Sequence, residues 1–467
     1  MFYKKIKFES VILITILLFL SFWSVTYYIH SSELWSVYIS KNLFDPMFIK
    51  SVSMKPLLNL FLFLFHLFPL TNIEHLIAVK IFFGLFGIIQ FYLLWKIFLY
   101  STPPSFKKWS VFLILAFALF LFSSETYLQN FFRIRSDQIC VSLFLCFVYL
   151  NLQHRIPLKF HFLFIGLYPL IALKGLLFSS LHLIHLALKN KAKPLGEKNV
   201  FLYTLALCAA LITTVNFSWN GVLYLISTFD NFSESLSALK TWAKADAVII
   251  TLSLVTIFHL NYQRYIKEKI KINLSLLSII SLIVVFLFPQ KHTYFIASFI
   301  PIFALTAATY ICYLYDQVIK AKKYIYAFTF VLLFLLVFKY QHYYQNNPYR
   351  SNLAEYTFIK YISEIISRNN LSYIDGFGAL PRSNNLNCFV SPNDEIANQF
   401  CVEQLNQAKP DLVILTARLM NLVGTQENLK KYYQDVGYNI FINKDFKYKF
   451  DPPKEMLPAL LVFGFEH

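Results

Sequence analysis

The chain carries little charge for its length. Asp, Glu, Lys and Arg make up 14% of its 467 residues, whereas 57% of the residues are hydrophobic and the mean hydropathy is +0.54. Soluble globular domains contain about 25% charged residues. This composition therefore excludes a soluble globular protein and indicates an α-helical protein that crosses a membrane several times.

Cysteine is scarce, and its spacing excludes the usual metal motifs. Four of the six cysteines lie within or beside apolar segments, where they pack as small hydrophobic side chains: Cys140, Cys146, Cys208 and Cys312. The other two, Cys388 and Cys401, lie in a polar C-terminal part. We expect them to form a disulfide if that part faces an oxidising compartment. The sequence also has no internal repeat and no low-complexity segment.

Long apolar segments dominate what is present. The basic start MFYKKIKFES precedes an apolar segment that no small-x-small cleavage site follows, as in a retained signal anchor. With a span of about 17 to 25 residues as the ruler, we predict about eleven membrane helices. They lie near residues 10–29, 75–98, 109–124, 136–152, 158–173, 175–189, 200–217, 246–262, 273–288, 293–315 and 323–341. The segment 55–70 is shorter and ends at a proline, which predicts an interfacial or re-entrant helix.

The formal net charge of +17 follows membrane topology rather than nucleic-acid binding. If segment 55–70 does not span, every cytoplasmic segment is basic, as the positive-inside rule requires. These segments are the N-terminus, STPPSFKKW, LQHRIPLK, KNKAKPLGEK, NYQRYIKEKIK and DQVIKAKKY. We therefore predict a transmembrane domain over 1–341 and a small soluble α/β domain over 342–467 on the outer face.

Five polar features collect at predicted outer helix ends. They are SSELW with Glu33, SMKPLL with Lys55, RIRSD with Arg133, Arg135 and Asp137, LIALKGLL with Lys174, and FPQKHTYFIASFIP with Lys291 and His292. Charges at membrane depth are costly and mark sites or pairs. Convergence of the cations around a carboxylate would suit a phosphate-bearing lipid head group. The alternatives are interface anchors that snorkel and an i,i+4 ion pair between Asp137 and Arg133.

The order of these motifs resembles the polytopic GT-C glycosyltransferases that use lipid-linked sugars. The resemblance is to the branch of protein O-mannosyltransferases and lipid A aminoarabinose transferases, and it covers about 300 residues. SSELWSVYISKNL matches that branch's acidic outer loop, MKPLL its Lys-Pro segment, RIRSD its Arg-x-x-Asp type motif, ALKGLL its Lys-Gly, and KHTYFIASFIP its last motif. The first acid of the usual pair is replaced by Ser32. We favour Glu33 as its substitute, with Asp45 or a loss of activity as alternatives.

The resemblance implies transfer of a sugar from a polyprenyl phosphate to an extracytoplasmic lipid, glycan or protein, with inversion. Glu33 would be the catalytic base. Lys55, Arg133, Arg135, Lys174 and Lys291 would bind the donor phosphate. Asp137 and His292 would support them. No cofactor and no metal are expected, because fixed cations can neutralise the leaving phosphate. A bacterial cytoplasmic membrane is the expected location. The rival functions are a transporter or flippase of lipid-linked saccharides and an inactive relative.

Overall fold

The structure is a computed structural model that describes part of the chain. The described residues are 10–11, 13–18, 31–41, 43, 55–103, 110–124, 126–127, 131, 133–153, 158–172, 175–189, 240, 242, 246–270, 274–287, 297–319, 353–376, 380, 395–416, 419–420, 429–446, 450–454 and 456–459. Over these residues the fold is largely helical, with one small sheet.

The structure describes four strands and thirteen helices over these residues. In chain order they are α1 Ser31–Lys41, α2 Pro56–His66, α3 Asn72–Ser101, α4 Ser110–Phe122, α5 Ser136–Leu152, α6 Leu158–Ile171, α7 Gly175–Lys189, α8 Ala247–Phe258, α9 Leu260–Ile270, α10 Leu274–Leu287, α11 Ile300–Ile319, α12 Leu353–Asn369 and α13 Glu395–Gln407. The strands are β1 Tyr373–Ile374, β2 Leu412–Ile414, β3 Tyr433–Asp435 and β4 Ile440–Asn443.

The described part of the chain forms two compact units. The first contains Met1–Ser24, Ser53–Leu58 and Phe83–Tyr349, and the second contains Val25–Val52, Asn59–Phe82 and Arg350–His467. The second unit thus groups residues that precede 83 with the C-terminal residues, whereas the domain boundary predicted between 341 and 342 follows the chain. The boundary between 341 and 342 divides a transmembrane domain from a domain on the outer face, and it stays a prediction.

Local sequence explains where the long helix α3 begins. Thr71 and Glu74 form a capping box: the Thr71 hydroxyl accepts from the Glu74 N–H at 3.3 Å, and the Glu74 carboxylate accepts from the Thr71 N–H at 2.9 Å. The 30 residues of α3 extend about 45 Å at 1.5 Å per residue. Within the described ranges α3 alone is long and apolar enough to cross a membrane, and several other helices are apolar but shorter. The predicted total of about eleven spans is not confirmed.

Most predicted helices that fall on described residues are present, with two corrections. The predicted helix 246–262 ends at Phe258, because His259 has a non-helical ψ of 87°. The basic segment after it, predicted as a loop, is the helix α9. Over the described residues the predicted helix 293–315 corresponds to α11, which carries Pro301 in its first turn, where the missing N–H is not needed. Residues 293–296 lie outside the described residues. Predicted helices 200–217 and 323–341 lie outside the described residues.

Hydroxyl side chains join helices within the first unit. The Ser278 and Thr306 hydroxyls lie 2.8 Å apart between α10 and α11, and the Thr256 hydroxyl donates to Ser275 at 2.9 Å between α8 and α10. Small polar residues of this kind are typical of helix interfaces in membranes, where the hydrophobic effect does not drive helices together.

The second unit contains the sheet, with strand order β1-β2-β4-β3. The parallel pair β1 and β2 is connected through α13, and the other two pairs are antiparallel. Apolar side chains of β1, β2 and β4 pack in its core with Cys401 of α13. Cys401 is disulfide-bonded, whereas Cys388, its predicted partner, lies outside the described residues.

Candidate functional site

The structure describes four of the predicted site residues fully. Arg133, Arg135 and Asp137 lie immediately before and within the first turn of α5. Lys55 directly precedes α2 and is half-buried. Glu33 is the third residue of α1, but its side chain lies outside the described residues, as do Lys174, Lys291 and His292. The predicted convergence of all these groups on one phosphate therefore stays a prediction.

Asp137 forms its ion pair with Arg135, and the predicted pair with Arg133 is wrong. The Arg135 Nε donates to the Asp137 carboxylate at 3.3 Å, and both side chains are largely buried. An i,i+4 pair requires both residues to be helical. Here α5 begins only at Ser136, and Arg135 before it has extended φ and ψ of −139° and 143°. Arg133 consequently lies outside the helix whose spacing the prediction assumed.

A network of amide and hydroxyl groups surrounds this ion pair. The side-chain amide of Gln90, in the middle of α3, donates to both the carbonyl and the side-chain oxygen of Gln138, with 2.9 Å to the carbonyl. The Tyr127 hydroxyl donates to the Gln90 oxygen at 3.2 Å, and the Ser142 hydroxyl donates to the Gln138 carbonyl at 2.8 Å. Gln90, Tyr127 and Gln138 are all buried.

The ion pair and the network line one small cavity within the first unit. Its walls are Gln90, Tyr127, Arg135, Asp137, Gln138, Val141, Ala297 and Ser298. The cavity measures about 20 Å³, which is room for roughly one water molecule. Ser298 belongs to the segment KHTYFIASFIP, so the structure brings the end of the fifth predicted motif next to the third.

The charges that line this cavity are balanced, because the Arg135 guanidinium is paired with the Asp137 carboxylate. The N-terminus of α5 carries the positive end of the helix dipole, and two guanidinium groups flank it in the sequence. The negative charge at this N-terminus is the carboxylate of Asp137, in the first turn of α5. A guanidinium has five N–H donors in a planar fork that fits carboxylate and phosphate oxygens. The arrangement can therefore exchange one oxyanion for another at Arg135.

Sequence reasoning missed the partners on other helices. Gln90 is an isolated amide inside the apolar helix α3, and an amide at such depth is itself a signal, because hydrocarbon cannot satisfy it. Gln138 directly follows Asp137 in the motif that drew attention to this region. The sequence could have nominated both residues, but their pairing depends on the packing of α3 against α5.

The Lys-Gly motif has a packing reason for its glycine. A Cβ atom at Gly175 would lie 1.9 Å from the carbonyl oxygen of Tyr168, which is backbone and cannot rotate away. Gly175 thus allows α6 and α7 to approach closely, and the Ser179 hydroxyl donates to the Ile165 carbonyl at 2.8 Å between them. This contact accounts for Gly175 independently of any role of Lys174.

Two buried histidines form a pair within the first unit. His161 and His182 face each other across α6 and α7, with 3.1 Å between their ring nitrogens. Among the described residues, no group of three or more His, Cys, Asp or Glu side chains is arranged to hold a metal ion.

Comparison with protein-family models, with curated proteins and with solved structures finds no match to this chain.

Proposed function

We propose that the protein is a polytopic membrane glycosyltransferase that uses a polyprenyl-phosphate sugar as donor. The observation that carries this proposal is the buried Arg135–Asp137 pair beside a polar cavity, in a chain that is otherwise strongly apolar. Buried charges are costly unless paired, and in membrane proteins they mark functional sites. The order of the five sequence motifs supports the same function.

The cavity must open before a donor can bind. It accommodates about one water molecule, which is far smaller than a sugar phosphate. A donor phosphate would compete with Asp137 for Arg135, since both are oxyanions that the guanidinium fork accepts. Displacement of Asp137 would then place its carboxylate beside the donor, where it accepts a hydrogen bond from a sugar hydroxyl.

In the proposed reaction, cations stabilise the leaving phosphate and a carboxylate accepts the acceptor's proton. Negative charge grows on the lipid phosphate as its bond to the anomeric carbon breaks, and fixed donors stabilise that charge. Arg133 and Arg135, which directly precede α5, are two of the proposed donors. Lys55, Lys174 and Lys291 are proposed to complete the phosphate site, and Glu33 is the proposed base. We also propose that the reaction takes place at the outer face of the cytoplasmic membrane.

The test is transfer from radiolabelled polyprenyl-phosphate sugars in membranes that contain the wild-type protein or a variant. We expect Arg135→Ala and Glu33→Gln each to lower transfer by about 100-fold, the effect of losing one group that acts in the transition state. Arg264→Ala is the matched control, because Arg264 is an exposed arginine of the basic helix α9. Its transfer rate should equal that of wild type.

Two results would overturn the proposal. One is a complete lack of transfer by the correctly inserted wild-type protein across a broad donor panel. The other is an Arg135→Ala variant as active as Arg264→Ala. If labelled lipid-linked sugar changes leaflet without being transferred, the transporter function replaces the enzyme.

A further inference from the structure

Helix α2 and the turn after it expose large apolar side chains, which proteins in water usually bury. Its exposed residues Leu60, Leu64, Leu67 and Phe68 are 48%, 46%, 65% and 57% accessible. Their spacing of four, three and one residues places them on one face of the helix and of the turn that follows it. We call these four residues the α2 stripe.

The opposite side of α2 is buried and partly polar. Asn59 is buried, and the His66 Nε2 lies 3.0 Å from the Val37 carbonyl and 3.1 Å from the Ser40 hydroxyl of α1. A carbonyl oxygen only accepts, so this nitrogen carries the proton. These bonds fix the rotation of α2 and leave the stripe outward, as expected for a helix whose surroundings are lipid rather than water.

A polar cleft begins two residues after the stripe, within the same compact unit. It measures about 760 Å³ and is lined by the start of α3 and one face of α12. That volume lies within the range of about 300 to 1,000 Å³ typical of ligand sites. Its floor includes Asn72, whose side-chain amide donates to the Ser363 hydroxyl at 3.0 Å. Hydroxyls of Thr71 and Ser367 also line it.

The charges of the cleft favour an anion. Lys360 and Arg368 line it together with a single carboxylate, Glu364. Arg368 contacts Glu364 at 3.5 Å, and the two side chains are 75% and 45% exposed. An ion pair this exposed is weak, so Arg368 can turn to a phosphate at little cost.

The length of α3 places the cleft at the level of lipid head groups. At about 45 Å for its 30 residues, α3 matches a bilayer of about 40 to 45 Å measured with its head groups. If α3 crosses the membrane, as the proposed function requires, its first residues lie among head groups on one surface. Those first residues are the ones that line the cleft.

We propose that the cleft and the α2 stripe together bind an anionic phospholipid of the surrounding bilayer. Its phosphate lies between Lys360 and Arg368, its head-group hydroxyls contact the serines of α12, and its acyl chains cover the α2 stripe. The lipid holds the second unit to the membrane surface. This inference rests on the membrane insertion in the proposed function and is independent of the transferase reaction.

The experiment uses the full chain in nanodiscs of phosphatidylcholine that contain a small fraction of phosphatidylglycerol with a photoactivatable acyl chain. After illumination, labelled peptides are mapped. We expect label on peptides that cover 60–73, and competition by unlabelled phosphatidylglycerol but not by soluble glycerol phosphate. The double variant Lys360→Ala with Arg368→Ala should carry about 20-fold less label than the wild-type protein, because each cation contributes roughly fivefold.

Matched controls separate the cleft from general surface charge. Lys430→Ala with Lys454→Ala removes two exposed cations of the same unit and should leave labelling unchanged. Exchange of the two cleft cations, Lys360→Arg with Arg368→Lys, should keep it. Equal labelling of the alanine variant and its control, absence of label from 60–73, or equal competition by glycerol phosphate would each overturn the proposal. Transfer activity measured on the same samples shows whether the proposed function fails separately.

Discussion

Replacement of Gly175 by alanine tests the close contact between α6 and α7. The new Cβ would lie 1.9 Å from the Tyr168 carbonyl oxygen and 2.2 Å from its carbon. An ordinary C···O contact is about 3.3 Å, so the backbones must separate by about 1.4 Å. Because the obstacle is backbone, no side-chain rotation can relieve it.

The cost follows from what that separation breaks. The Ser179–Ile165 bond of 2.8 Å and the His161–His182 contact of 3.1 Å would both exceed hydrogen-bond distance. Such bonds contribute about 0.6 kcal/mol each between membrane helices, and overpacking costs about 1 to 3 kcal/mol. We expect Gly175→Ala to lower the free energy of unfolding by about 2 to 4 kcal/mol.

The assay is reversible unfolding of the purified protein in mild detergent, followed by circular dichroism. Gly166→Ala is the matched control, because Gly166 lies in α6, one of the two helices of this contact, and a Cβ there meets nothing within 4 Å. That control should be neutral or more stable by about 0.5 to 1 kcal/mol, since alanine favours the helix. Equal stabilities of the two variants would refute the packing role assigned to Gly175.

Three further predictions concern buried polar groups. Gln90→Leu should lower the free energy of unfolding by about 1 to 3 kcal/mol, because it leaves the partners of the buried amide unsatisfied; the same detergent assay measures this. Tyr373→Phe removes the 3.0 Å bond to the Leu380 carbonyl and should lower the free energy of unfolding by about 1 kcal/mol. Tyr433→Phe removes a buried hydroxyl that has no hydrogen-bond partner and should lower it by less. Denaturant unfolding compares the two variants, and a reversed order would contradict the reasoning. Burial, with a smaller contribution from the charge of Asp411, raises the pKa of Tyr433 from its usual 10 to about 12. Because the Tyr433 hydroxyl ionises at a lower pH in the unfolded state than in the folded state, the free energy of unfolding of the second unit should be constant up to about pH 10 and should fall above it. Tyr433→Phe should flatten that fall in a pH series of thermal unfolding.

The helices were predictable because their signals are local. Each backbone bond in a helix joins residues four apart, so apolar length and the polar start of α5 were visible in the sequence. The error at the end of α8 also came from a local feature, the non-helical ψ of His259. Composition indicated a membrane protein, whereas among the described helices one is long and apolar enough to cross a membrane.

The sequence by itself determined that charged residues stand at the start of α5 and that a glycine follows Lys174. The tertiary structure decided that Gln90 of α3 meets Gln138 of α5, 48 residues further along the chain, and that Gly175 of α7 lies against the backbone of α6. The physical reason is range. Helical hydrogen bonds are made between near neighbours in the chain, but a side-chain pair across helices depends on the packing of segments separated by dozens of residues, which no local pattern encodes.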